Sequence, residues 1–343
     1  MHLLKNTFTY LLIVFGLVWL GSATSCDLKS SNKGSLVNDT TISLEAREWS
    51  KKIAEYPENV EYYVFRAEVL SKEKRHDLAI LDYEKAIELD PKTVSHYYML
   101  GDELFANDQT SKALEQYEKA SDLNPKDEIA AFKQAQFLYF VRQFDKSENI
   151  FGKLLQLNPT HAQGNFFMGM LGKEKKDTAM AIMYFKNTIA ALGADYNSSM
   201  QLGDIYMALG DKKQALEYYN AGINIDQQSD EAYYARGLFY HVNNDFENAL
   251  VDYQRTIDIN AKHYLAYYNA GNILAELGKY DRAIDHFEIC TRLNPDLAKA
   301  YNRIGQCLEL KGEKEMAKRN YERCLQIDPN FALAKEGLSR LGI

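Results

Sequence analysis

All six prolines of this chain stand on one lattice. Pro57, Pro91, Pro125, Pro159, Pro295 and Pro329 are separated by 34 residues or whole multiples of 34. Proline neither continues a helix nor donates to one, and it turns the preceding residue away from helical geometry. A fixed proline period therefore cuts the chain into equal pieces, which means a repeat architecture rather than one conventional core. The lattice points without proline hold Gly193, Gln227 and Ala261, which a loop accepts.

With proline placed at slot 32, eight units of 34 residues run from Val60 to Phe331 without an insertion. Slot 8 reads Ala67, Gly101, Ala135, Gly169, Gly203, Gly237, Gly271 and Gly305. Slot 20 is Ala in seven units and Ser147 in the third, and slot 24 is Tyr or Phe in all eight. The chain is 12% aromatic, so composition alone does not fill slot 24 eight times. Apolar residues recur three and four apart in slots 1–14 and 18–31, which predicts two helices per unit. Small residues at slots 8 and 20 mark a close helix crossing, and the slot-24 ring fills space between one unit and the next. Gly210, Gly278 and Gly312 at slot 15 suit a left-handed end to the first helix, with Asn244 as the usual second choice. Units four and five depart most. Asn165 and Ser199 replace the slot-4 aromatic, and Thr188 and Gly222 replace Ala at slot 27.

The ends fit the same scheme. Residues 42–59 read as the second helix of a truncated unit, with Trp49 at slot 24. Residues 332–343 read as a first helix with Lys335 in place of the packing Tyr, a solvating cap of the kind an open-ended array requires.

In the second unit, Tyr97, Leu100, Gly101, Leu104, Ala113, Tyr117, Ala120 and Pro125 complete a pattern that resembles the tetratricopeptide repeat, and the resemblance covers residues 60–331. It implies an all-α fold: a right-handed α-solenoid superhelix of eight helix-turn-helix units, at 60–93, 94–127, 128–161, 162–195, 196–229, 230–263, 264–297 and 298–331. An N-terminal half unit and a C-terminal capping helix complete it. It also implies that the first helices line a concave groove, presented by slots 2, 5, 9, 12 and 13, which holds a segment of a partner protein. The groove residues expected on that basis are Tyr98, Asp102 and Phe105; Phe132, Gln136 and Tyr139; Phe166 and Met170; Met200, Asp204 and Met207; Tyr234 and Leu238; and Tyr268 and Asn272. Six of the nine Met lie between Met168 and Met207, and Met surfaces adapt to varied apolar partners. Two readings of the slot-5 aromatics stay open: they bind a ligand, or they pack between helices as aromatic stripes at helical spacing do. Members that clamp a C-terminal carboxylate use Lys at slot 5, and no unit here has one.

The first 25 residues, with Lys5 before the apolar run Leu11–Leu20 and small residues after it, read as a secretory signal peptide. Ala23, Thr24 and Ser25 lead into Cys26, which resembles the lipobox of bacterial lipoproteins; Ala23 departs from the Leu usual at that place. The resemblance implies a diacylated Cys26, a palmitate-bearing anchor and an envelope location, with secretion or a retained N-terminal anchor as alternatives. Residues 26–41 are polar and unpatterned and read as a flexible tether.

A net charge of −8 supplies no basic stripe for nucleic acid. Signal, tether, half unit, eight units and cap use up the chain, and none carries a metalloprotease, serine-hydrolase or phosphate-loop motif. The seven His are scattered without ligand spacing, so neither metal nor cofactor is expected. Cys290 and Cys324 at slot 27 and Cys307 at slot 10 read as small core residues and free thiols. The expected function is a non-catalytic scaffold for another envelope protein; the alternative is an assembly or escort factor for an outer-membrane or secretion complex.

Overall fold

The computed structural model describes residues 36–342, so the leader, Cys26 and the start of the tether lie outside the described residues. Among the described residues there are eighteen α-helices, preceded by a 3-10 turn at Leu36–Asn38. Helix α1 (Leu44–Glu55) is the half unit. The units then supply α2 (Val60–Lys72) and α3 (His76–Leu89), α4 (Val94–Ala106) and α5 (Thr110–Leu123), α6 (Glu128–Phe140) and α7 (Phe144–Leu157), and α8 (Ala162–Glu174) and α9 (Thr178–Leu192). They continue with α10 (Tyr196–Ala208) and α11 (Lys212–Ile225), α12 (Asp230–Val242) and α13 (Phe246–Ile259), α14 (Tyr264–Glu276) and α15 (Tyr280–Leu293), and α16 (Ala298–Leu310) and α17 (Lys314–Ile327). Helix α18 (Ala332–Arg340) closes the chain. The chain divides into two compact lobes, one ending at Ala113 and one beginning at Leu114.

First helices occupy slots 1–13 and second helices slots 17–30, α9 running one residue further; the apolar period alone had placed the second helices one slot later. In three units a side-chain cap marks that start, while α3, α7, α15 and α17 start at the same slot without one. Asp177, Asp211 and Asp245 at slot 16 accept the backbone N–H three residues on, at 2.9, 3.1 and 3.3 Å, where α9, α11 and α13 begin. Slot 15 has positive φ in all eight units, not only at the glycines: Lys74, Asp108, Arg142, Lys176 and Asn244 lie between 57° and 61°. The left-handed residue lets the slot-16 N–H reach the slot-11 carbonyl, as Arg75 does to Leu70 at 2.8 Å and Glu313 to Leu308 at 2.9 Å.

The slot-24 ring does two jobs. It lies beneath the slot-8 glycine of its own unit, where a Cβ on Gly203 would come within 2.6 Å of Tyr219 and one on Gly271 within 2.7 Å of Phe287. The small residue at slot 8 therefore answers to the ring as well as to the helix crossing. The ring also reaches forward, as Phe151 stacks on Phe167 of the next unit at 5.5 Å. Trp49 on α1 makes the forward contact at 4.9 Å from Phe65, carries the Lys52 ammonium 4.0 Å from its ring centre, and is half-buried.

The weak units are repaired locally. Slot-4 Tyr63 and Tyr97 donate to the carbonyls of Pro57 and Pro91 at 3.0 Å, and Asn165 does the same to Pro159 at 2.9 Å with a shorter side chain. Gly222 leaves room for the Met200 sulfur, which a Cβ there would meet at 2.6 Å.

The fixed part begins earlier than the tether reading allowed. Asp39 accepts from the Thr41 N–H at 2.8 Å and the Thr41 hydroxyl at 2.6 Å, and Arg75 donates to Thr41 at 3.0 Å. Ile42 is 3% exposed. Residues 36–41 are thus laid onto the first lobe by a side-chain-closed turn and one apolar anchor.

Candidate partner-binding face

In the first lobe, Tyr98, Asp102 and Phe105 stand half-buried on α4. Beside them, buried Glu103 accepts from the Ser71 hydroxyl at 2.6 Å and lies 2.8 Å from His76 Nδ1.

In the second lobe, the slot-5 rings rest on the slot-24 rings of their own units. Phe132 lies 5.9 Å from Phe151, Phe166 5.7 Å from Phe185, Tyr234 5.9 Å from Tyr253 and Tyr268 5.7 Å from Phe287. Phe132 is buried; Phe166, Tyr234 and Tyr268 are half-buried, so each gives one side to the core and keeps another at the surface. Phe167 at slot 6, outside the expected set, is the hub of the cluster: Phe132, Tyr139, Phe140, Phe151 and Phe166 all lie within 6.0 Å of it. Burial pushes the Tyr139 hydroxyl up to about 12. The signal that could have found Phe167 is its place beside Phe166, since of the eight units the fourth alone pairs aromatics at slots 5 and 6.

The phenol at slot 24 sets the polar chemistry of the face. Tyr219 donates to Asp204 at 2.8 Å and lies 3.7 Å from the Met207 sulfur. Asp204 keeps an open edge, yet the protein around it raises its carboxyl above the ordinary value, opposed by the Tyr219 hydrogen bond and by Lys173. Tyr321 donates to Glu309 at 2.6 Å, and Tyr253 lies 3.2 Å from His241 Nδ1. Where slot 24 is Phe287, the slot-9 residue Asn272 is 8% exposed and its amide oxygen has no partner. Gln136, Met170, Met200 and Leu238 are half-buried apolar or amide groups between these points. Asn269 ties α14 to α12 through Tyr234 at 3.0 Å, and the Lys299 ammonium sits 4.4 Å above the Tyr268 ring.

Nothing in this arrangement supplies an activated nucleophile. Among the described residues no group of three His, Cys, Asp or Glu is placed to hold a metal, and no helix is long and apolar enough to cross a membrane. Cys290, Cys307 and Cys324 are buried free thiols, and burial pushes Cys290 and Cys324 up to about 11.

Models described as tetratricopeptide repeat match residues 60–93, 95–127, 230–263, 264–297 and 298–331, and one described as TPR repeat matches 203–243. Together they cover more than half of the chain. The chain belongs to the tetratricopeptide repeat family. Tetratricopeptide repeat proteins are in general non-catalytic scaffolds that bind protein segments. The C-terminal part of a TPR repeat-containing protein from Cytophaga hutchinsonii superposes with a TM-score of 0.62 at 17% identity, over 70% of this chain and 99% of that one, a likeness of fold alone. The MamA protein is 27% identical over 50% of this chain and 93% of that one, with a TM-score of 0.46. No curated protein matches the chain in sequence.

Proposed function

We propose that this tetratricopeptide repeat protein is a scaffold held at the cell envelope by a lipid on Cys26, with its first-helix groove holding an extended or helical segment of another envelope protein. The single observation that carries the groove reading is the row of half-buried rings and Met side chains on α8, α10, α12 and α14. Each ring is fixed from below by a slot-24 aromatic, so rotamer entropy is already lost before a partner arrives. Asp204, exposed along one edge, favours a basic residue beside the partner's apolar anchors. Ala23, Thr24 and Ser25 before Cys26 support the lipid anchor.

Two measurements test the parts separately. A photo-crosslinking phenylalanine at Gln136 or Met207, in cells, is expected to give a discrete protein adduct, whereas one at Glu217 on second helix α11 gives none. The same adduct from all three positions would overturn the groove. Cys26→Ala is expected to move the protein out of the detergent phase; its staying there would overturn the anchor and leave the groove untouched.

A further inference from the structure

One recess in the second lobe has its own design. It measures about 290 Å³ and lies between the end of α9, the start of α10 and α11. Ile189, Gly193, Ser199, Tyr218 and Ala221 line it. These are slots 28 and 32 of one unit and slots 4, 23 and 26 of the next. In five of the eight units a tyrosine occupies slot 4, and its neighbours come from the same slots. Tyr63 packs on Ile53, at slot 28, and donates to the carbonyl of Pro57, at slot 32. Tyr267 meets the ring of His286, at slot 23, at 6.1 Å. Arg255 and Arg323, at slot 26, lie over Tyr233 and Tyr301 at 5.6 and 5.7 Å. In the fifth unit Ser199 turns its hydroxyl back onto the Asp195 carbonyl at 2.7 Å, and Ala221 stands where the arginines are. The recess is therefore a tyrosine seat without its tyrosine. A cavity of roughly 150 Å³ already takes a benzene-sized ring.

We infer that this recess binds a tyrosine side chain presented by a partner polypeptide. The five rings that fill the equivalent seats are carried on the first helices of their own units; with that backbone place taken by Ser199 on α10, a partner's tyrosine would enter from the solvent side, past exposed Gly193. None of the lining residues belongs to the groove slots, so the inference stands apart from the groove reading.

The test uses the full chain with 13C-methyl isoleucine, and the probe peptide Ac-Ala-Tyr-Ala-NH2. The peptide is expected to shift the methyl signals of Ile189 and of Ile225, which also lines the recess, saturably, while Ac-Ala-Ala-Ala-NH2 leaves them in place. Ser199→Tyr, which installs the chain's own occupant, should weaken the response at least tenfold. Ala221→Arg should do the same, a second closure should one variant misfold. No shift in the unaltered protein, or an equal shift in a folded Ser199→Tyr variant, would overturn the inference. So would p-cresol shifting these signals where the peptide does not, since the seat would then serve a free phenol.

Discussion

Arg66 grips Asp82 through two parallel N–H···O bonds of 2.8 and 2.6 Å, with both side chains at most one-tenth exposed. A third bond, 2.9 Å, runs from Arg66 to Ser50 on the preceding second helix. Five units later Arg236 repeats the construction on Asp252 at 2.7 Å and on Asn220 at 2.6 Å. The slots are identical, 7 to 23 and back to 25. In the seventh unit Ala270 stands at slot 7, and a hollow of about 460 Å³ opens beside Gln254 and His286, which hold the partner slots.

A buried ion pair strands its survivor when one member is removed. Asp82→Ala is expected to cost about 3–5 kcal/mol, because Arg66 is left charged without a counter-ion. Arg66→Leu together with Asp82→Leu is expected to be neutral or stabilising, since Leu100 and Leu202 fill slot 7 elsewhere. Urea midpoints of the two variants decide the matter.

Two glycines on helices should respond oppositely to a methyl group. At Gly203 a Cβ meets the Tyr219 ring at 2.6 Å, so Gly203→Ala is expected to cost about 1–3 kcal/mol. At Gly152 nothing lies within 4 Å, so Gly152→Ala is expected to add about 0.5–1 kcal/mol through the chain entropy of the unfolded state. Thermal denaturation of both variants reads the sign directly.

The orphan oxygen of Asn272 has a remedy written elsewhere in the chain. Tyr219 supplies its hydroxyl to slot 9 of its own unit, and Phe287 has none to offer. Phe287→Tyr is expected to stabilise by about 1 kcal/mol, the usual net value of a hydrogen bond to a previously unpaired buried group. A lowered denaturation midpoint would mean that the new hydroxyl finds no partner.

Lys176 holds φ at 59°, a conformation that costs an L-residue roughly 1–2 kcal/mol. Lys176→Gly should recover about 1 kcal/mol, and Gly210→Lys in the next unit should lose as much.

Acid should loosen the last helix first. Arg340 donates to Glu309 at 2.8 and 2.9 Å and, with Tyr321, holds the Glu309 carboxyl below its ordinary value. A depressed carboxyl stabilises the fold above its unfolded pKa, and that contribution fades as pH falls through the folded value. The melting-temperature gap between the unaltered protein and Glu309→Gln should therefore hold from neutral pH down to the ordinary carboxyl range and narrow below it, as pH falls toward the depressed folded value. A gap that is constant with pH would show that the ion pair does not hold α18.

The helix pairs, their spacing and the ring at slot 24 were legible because backbone period and ring volume are local to the sequence. Slot 15 was only half legible. Gly210 declares a left-handed turn, but Lys74 and Arg142 adopt the same φ because the hairpin imposes it. The face of the first helices was legible as a stripe, yet its two-sided use was not: whether Phe132 faces solvent or core depends on Phe167, one unit away. The Arg66–Asp82 fork escaped because a charged residue at slot 7 looks like a surface residue until slots 23 and 25 are brought alongside. Residues 36–41 escaped because a turn closed by Asp39 carries no period.

Cys290, Cys307 and Cys324 lie sealed in the last two units, with burial raising all three thiols above their ordinary range. An alkylating reagent reaches them only when those helices part. That end of the protein thus carries its own strain gauge: the rate at which label enters counts openings, and a bound partner that braces the terminal hairpins would slow the count.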